Sequence, residues 1–99
     1  MNQQRKHARI DFETNVELVV NGESQAGTTI NISQGGVLLK TSPVPDFNDK
    51  VILKIELPGV KSISEIASIV RWRTDQELGL QFETLRPLEV WALNKLCRA

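Results

Sequence analysis

Val51, Leu53, Ile55 and Leu57 alternate with Ile52, Lys54 and Glu56, and Pro58-Gly59 ends the run. A strict period of two is the signature of a strand with one face in a core. The same kind of signal recurs along the chain. Val16-Glu17-Leu18-Val19-Val20 is β-rich, and the Asn21-Gly22 that follows is a strong hairpin turn. Thr28–Ile32 reads as a second strand, Ser33-Gln34-Gly35-Gly36 breaks it, and Val37–Lys40 resumes. Residues 42–49 hold two prolines and several turn formers, and read as a loop. From Val60 to Arg73 the chain is rich in β-branched residues, with a slip in alternation near Ile66–Ile69 that predicts a bulge or two strand pieces. Leu78, Leu80 and Phe82 alternate with Gly79, Gln81 and Glu83 as a last strand. Pro87 suits a first helical turn, and Leu88, Trp91, Ala92 and Leu96 follow at near-helical spacing.

Six strands and a short C-terminal α-helix in 99 residues predict an all-β fold, a six-stranded antiparallel β-barrel. Closure removes the exposed edges that a small β domain must otherwise manage. The helix is expected to cover a barrel opening or to pack outside. Residues 1–10 are polar, lack apolar periodicity and are expected to form a flexible N-terminal arm ahead of a domain at 11–99. Trp72 and Trp91 are expected in the core or capping the barrel.

Composition narrows the function. Formal net charge is zero, which disfavours a DNA or RNA binder. Binding of single strands on a small barrel would need aromatics along a basic groove, and there are only two tryptophans, three phenylalanines and no tyrosine. The single Cys97 allows no intramolecular disulfide, which fits a reducing compartment. No apolar run approaches the ~20 residues of a membrane span. Residues 1–5 lack a signal peptide's apolar core, so a soluble, cytoplasmic protein is expected. His7 is the sole histidine and sits among cations, a poor setting for a metal ligand. Cys97 has no histidine near it in sequence to act as a base. No nucleophile–base pair is visible, and an enzyme is the least favoured class. Asn31-Ile32-Ser33 matches a glycosylation acceptor, discounted for want of a secretory signal.

Charge is nevertheless uneven. Arg5, Lys6 and Arg9 all precede the first acid, Asp11. Arginine presents a planar fork of donors that fits phosphate oxygens, or O6 and N7 of guanine, and can stack on a base. Further on, Asn31 can both donate and accept, Ser33 offers a hydroxyl, and Gly35 and Gly36 allow unusual dihedrals and close approach of backbone N–H groups to an anion. Such residues suit an anionic, guanine-like ligand. Read singly, the arginines are ordinary surface charge and the Asn-x-Ser-x-Gly-Gly stretch an ordinary turn.

Arg5 and Arg9 fit RxxxR, and Asn31, Ser33 and Gly36 fit [D/N]xSxxG. In that order, ahead of an all-β pattern covering nearly the whole chain, they resemble the PilZ domain, a bacterial receptor module for cyclic di-GMP. Ile69–Trp72 and Leu78–Phe82 are similar to that family's last strands. The resemblance implies a six-stranded barrel and a ligand site at Arg5, Arg9, Asn31, Ser33 and Gly36. Gln4, Lys6, His7, Gln34 and Gly35 lie beside or between these positions as secondary candidates. The position of Gln4 is thought to influence whether one ligand or a stacked pair is held. The function implied is that of a receptor and adaptor: cyclic di-GMP is the ligand, no cofactor is needed, and the N-terminal arm orders over the ligand to change the surface offered to a protein effector. The alternative is a scaffold that keeps the fold without binding ligand. Asp11 and Glu13 could latch the arginines in the free state, although solvation is the simpler expectation.

Overall fold

A computed structural model describes residues 9–97. Seven strands and one helix follow in order: β1 (Ile10–Asp11), β2 (Asn15–Val20), β3 (Glu23–Ile32), β4 (Gly36–Thr41), β5 (Lys50–Ile55), β6 (Ser64–Arg73), β7 (Glu77–Phe82) and α1 (Pro87–Leu96). Every pairing is antiparallel. The ladder runs β3-β2-β5-β6-β7-β4 and closes through β4 on β3, so six strands form the barrel. The two-residue β1 adds outside this ring, with Ile10 opposite Ile32 and Asp11 opposite Asn31. Ordered pairing thus starts at Ile10, inside the segment assigned to the arm. The remainder of that segment, residues 1–8, lies outside the described residues.

The β2–β3 hairpin turns on Asn21-Gly22, with φ of 53° and 82° at the two residues. Positive φ at both is what a two-residue turn needs to match strand twist, and Asn-Gly supplies it with least strain. β3 begins at Glu23 rather than Thr28, because the Glu23–Gly27 stretch carries no hydrophobic alternation yet pairs residue for residue with β2. Val16, Leu18, Val37, Leu39, Val51, Leu53 and Ile55 all point inward, as alternation predicts.

β6 is one strand, with its bulge later than expected, between Val70 and Trp72 opposite β7. The apparent slip near Ile66–Ile69 arises because Ser64 and Ser68 occupy inward positions, both fully buried. The Ser68 hydroxyl donates to the Ile66 carbonyl at 3.1 Å, so a polar residue sits inside without breaking the alternation. At Val70 the backbone is shared with the β4–β5 loop: Val70 N–H donates to Asp49 O, and Asn48 N–H donates to Val70 O, both at 2.9 Å.

α1 covers the barrel end where the 33–35 turn lies. Its buried face is Glu89, Ala92 and Leu93, continued by Cys97. The expected stripe is therefore rotated: Ala92 is inside, but Leu88 and Trp91 are exposed. The reason is Glu89, whose carboxylate is buried and satisfied. Arg86 N–H donates to Oε1 at 2.9 Å, and Arg86 Nε and Nη2 donate to Oε2 at 3.0 and 2.7 Å. The carboxylate reaching back to the N-cap N–H is half of a capping box. Burial pushes the Glu89 carboxyl up, but the Arg86 hydrogen bonds outweigh it and hold the carboxyl below its usual value. Trp72, at 49% exposed, is also outside the core, against expectation.

Candidate functional site

Of the residues singled out from the sequence, Arg9, Asn31, Ser33, Gln34, Gly35 and Gly36 are described. Gln4, Arg5, Lys6 and His7 lie outside the described residues.

The site is built on a disturbance in β3. Its register with β4 shifts between Thr29 and Asn31. Thr29, buried, clamps the incoming chain at this point. Its Oγ1 donates to Phe12 O and accepts from Thr14 N–H at 2.8 Å, and Phe12 N–H donates to Ile30 O at 3.1 Å. With 12–14 pinned and β1 paired to Asn31–Ile32, Arg9 is brought back over the sheet. Its Nη1 donates to Asn31 Oδ1 at 2.9 Å. Two residues far apart in sequence thus meet. Neither Asp11 nor Glu13 takes this arginine: among the described residues the single ion pair is Arg86–Glu89. One hydrogen bond to a neutral amide orients the guanidinium and leaves most of its five donors for an anion.

Ser33 has a different place. It is 5% exposed, and its hydroxyl accepts the backbone N–H of Gly35 and of Gly36, each at 3.2 Å. Ser33 N–H donates to Gly36 O at 2.8 Å, closing the turn. Neither Gly35 nor Gly36 takes the positive φ expected of them; among glycines that conformation belongs to Gly22 and Gly59. The two N–H groups are engaged by the serine instead of pointing outward. Gly36 is required by proximity: an added Cβ would lie 2.2 Å from Leu80 O on β7. The Gln34 side chain donates to Asn94 Oδ1 on α1, and the Cys97 thiol donates weakly to Ile32 O at 3.9 Å. The turn and the covering helix are therefore joined. Burial pushes the Cys97 thiol up from its ordinary value, the opposite of what a nucleophile needs.

Sequence reasoning missed the continuation of this face across the barrel. Residues directly opposite in an antiparallel pair share a face. Asn31 is opposite Leu38, Leu38 opposite Gly79, and Gly79 opposite Trp72. The neighbouring row runs from Gly36 to Gln81. A groove of about 680 Å³ lies at the opposite barrel end between Gly27, Lys40, Ser42 and Asp75, away from these residues. Among the described residues no helix is long and apolar enough to cross a membrane.

The chain matches the PilZ domain across residues 3–99. No curated protein matches it. Solved structures share its fold. The inhibitor of motility MotI/DgrA of Bacillus subtilis superposes with a TM-score of 0.74 at 19% identity, over 97% of this chain and 50% of that one. The PilZ domain of CeSA from a cellulose-synthesizing bacterium gives 0.70 at 17% identity, over 90% and 93%. The Borreliella burgdorferi PlzA protein, solved in complex with c-di-GMP, gives 0.75 at 16% identity, over 96% and 41%. The chain thus spans half of MotI/DgrA and less than half of PlzA.

Proposed function

This chain belongs to the PilZ domain family, and we propose that it is a receptor for cyclic di-GMP that passes its signal to a protein effector. The observation that carries the reading is the meeting of Arg9 and Asn31, one residue from each motif, on one outer face of the barrel. A forked cation beside an amide matches a ligand that offers phosphates and guanine edges. Arg5 and Arg9 would bind phosphate or the guanine Hoogsteen edge, and Asn31 a base edge. Ser33 and Gly36 shape the turn that holds Asn31 in place. The role is that of a receptor: ligand supplies a negative partner for the arginines, and the segment ahead of Arg9 closes over it. The closed arm and ligand form a new surface beside the Gln34–Asn94 junction, available to an effector.

The test is amide chemical-shift mapping on labelled protein during addition of cyclic di-GMP. Saturable shifts centred on residues 5–9 and 31–36 are expected. Shifts confined to the Gly27–Asp75 groove, or none at all, would rule the assignment out.

A further inference from the structure

The barrel has a second wall, turned away from the motif residues. In the ring of six strands β5 stands across from β4, so the outer face of β2, β5 and β6 points away from Arg9 and Asn31. Register fixes what this face carries. Glu17 lies opposite Lys54, and Lys54 opposite Glu65. One step along the same face, Val19 lies opposite Ile52, and Ile52 opposite Ala67, all three half-buried. A charged row thus borders an apolar one. On its other side the charged row runs into a hollow of about 250 Å³, where Glu17, Lys54 and Glu56 line the site together with Ile63. Ile63 is 57% exposed, more than any other large hydrophobic side chain among the described residues. Glu56 is shared with an adjoining hollow of about 400 Å³, lined also by Phe12, Glu13, Leu57 and Val60.

The charges on this wall do not cancel. Glu13, Glu17, Glu56 and Glu65 are set against Lys54 alone, four negative charges to one positive, in a chain whose formal net charge is zero. Among the described residues the single ion pair is Arg86–Glu89, so Lys54 leaves its neighbouring carboxylates available. Scattered exposed acids are ordinary surface. Acids grouped around an exposed isoleucine and two hollows make a polar rim about an apolar centre, the layout of a protein-docking face.

We propose that this wall docks a basic segment of a partner protein, one that sets an aliphatic side chain beside Ile63 and lysines or arginines against Glu13, Glu17 and Glu56. Charge complementarity selects that occupant. An acidic segment or an anionic lipid surface would be repelled, and a second copy paired two-fold through this face would oppose the same carboxylates to each other. The inference stands independently of cyclic di-GMP binding. It gives the effector a ligand-independent anchorage and leaves the opposite face free, so both can be held at once. α1 touches both sides: Asn94 accepts from Gln34 at the 33–36 turn, and the Trp91 ring lies against Gly59 in the loop that leads to Ile63.

The test is amide chemical-shift mapping of the protein without cyclic di-GMP, at low salt, titrated with a synthetic amidated peptide of repeated Lys-Leu-Lys-Lys units. The control is the same peptide with Glu in place of Lys. Saturable shifts at residues 13–17, 54–56 and 63–65 are expected with the lysine peptide alone, weakening as salt is raised. Glu17→Gln combined with Glu56→Gln should weaken binding about three- to tenfold, and Ile63→Ala roughly fivefold. Glu77→Gln, on the β4–β7 side, should leave it unchanged. Shifts centred elsewhere, equal shifts with the glutamate peptide, or no saturable binding would overturn the proposal. So would sedimentation showing self-association that Glu17→Gln and Glu56→Gln abolish, because the wall would then belong to a second copy. The comparison of the two peptides needs no substitution, so it remains decisive if a variant folds poorly, and a failure here leaves the receptor reading standing.

Discussion

Gly36→Ala separates two roles that the motif confounds. The new methyl would lie 2.2 Å from Leu80 O and 3.3 Å from Leu80 C. Both atoms belong to the backbone of β7, so no side chain can rotate away. Relief requires β4 and β7 to part by about 1 Å, since carbon atoms rest some 3.5 Å from their neighbours. The bond from Phe82 N–H to Gly35 O, now 2.9 Å, would stretch beyond useful range. Overpacking of this kind costs about 1–3 kcal/mol, and a lost ladder bond adds about 1 kcal/mol. The alanine recovers about 0.5–1 kcal/mol by restricting the unfolded chain. A net loss of roughly 2–3 kcal/mol is expected, out of a total of about 5–15 kcal/mol for such a domain. That corresponds to a fall in melting temperature of roughly 10–20 °C. The assay is thermal and urea unfolding of the ligand-free protein by circular dichroism. A melting temperature within about 2 °C of wild type would refute the close-approach reasoning. Weakened ligand binding in Gly36→Ala, if the loss of stability is found, cannot be taken as loss of a direct contact.

Other predictions follow from the same geometry. Ser33→Ala should lower ligand-free stability by about 1–3 kcal/mol in urea unfolding, because two backbone N–H groups lose their buried acceptor; an unchanged midpoint would show that the turn does not need the hydroxyl. Arg9→Ala should leave the melting temperature unchanged while weakening cyclic di-GMP binding roughly 10- to 100-fold by calorimetry, as expected for a charge-assisted contact of about 1.5–3 kcal/mol; early melting without ligand would show that Arg9 is structural. The Glu89 carboxyl titrates below its usual 4.5 when folded, so its stabilising effect is complete above about pH 4.5 and is lost as pH falls through the folded value. Urea midpoints should therefore drop more steeply in acid for wild type than for Glu89→Gln, and parallel curves would contradict the pairing with Arg86.

Much of the barrel was legible because alternation and turn chemistry agreed. Val51–Leu57 and Leu78–Phe82 lie as their patterns require, and Asn21-Gly22 makes the turn it advertises. Legibility ended where a polar residue is inside. Ser64 and Ser68 made a continuous strand look interrupted, and Glu89 rotated the helix face because its ion pair with Arg86 has no signature in hydropathy. In the site, residue types and spacing pointed to Arg9 and Asn31, and these are in contact. The reasons offered for Gly35 and Gly36 were different from those found, since proximity to Leu80 depends on how β4 registers on β7. Trp72 could not be placed on the same outer face as Asn31 from sequence, because its direction follows from a bulge opposite β7 and a glycine on another strand.

The receptor reading is tested most directly by isothermal titration of the purified protein with cyclic di-GMP, with GTP and cyclic di-AMP as controls. Saturable binding of cyclic di-GMP alone is the expected result, and its stoichiometry distinguishes one bound nucleotide from a stacked pair. Absence of heat in a protein that melts cooperatively would contradict the reading and favour a ligand-free interaction scaffold.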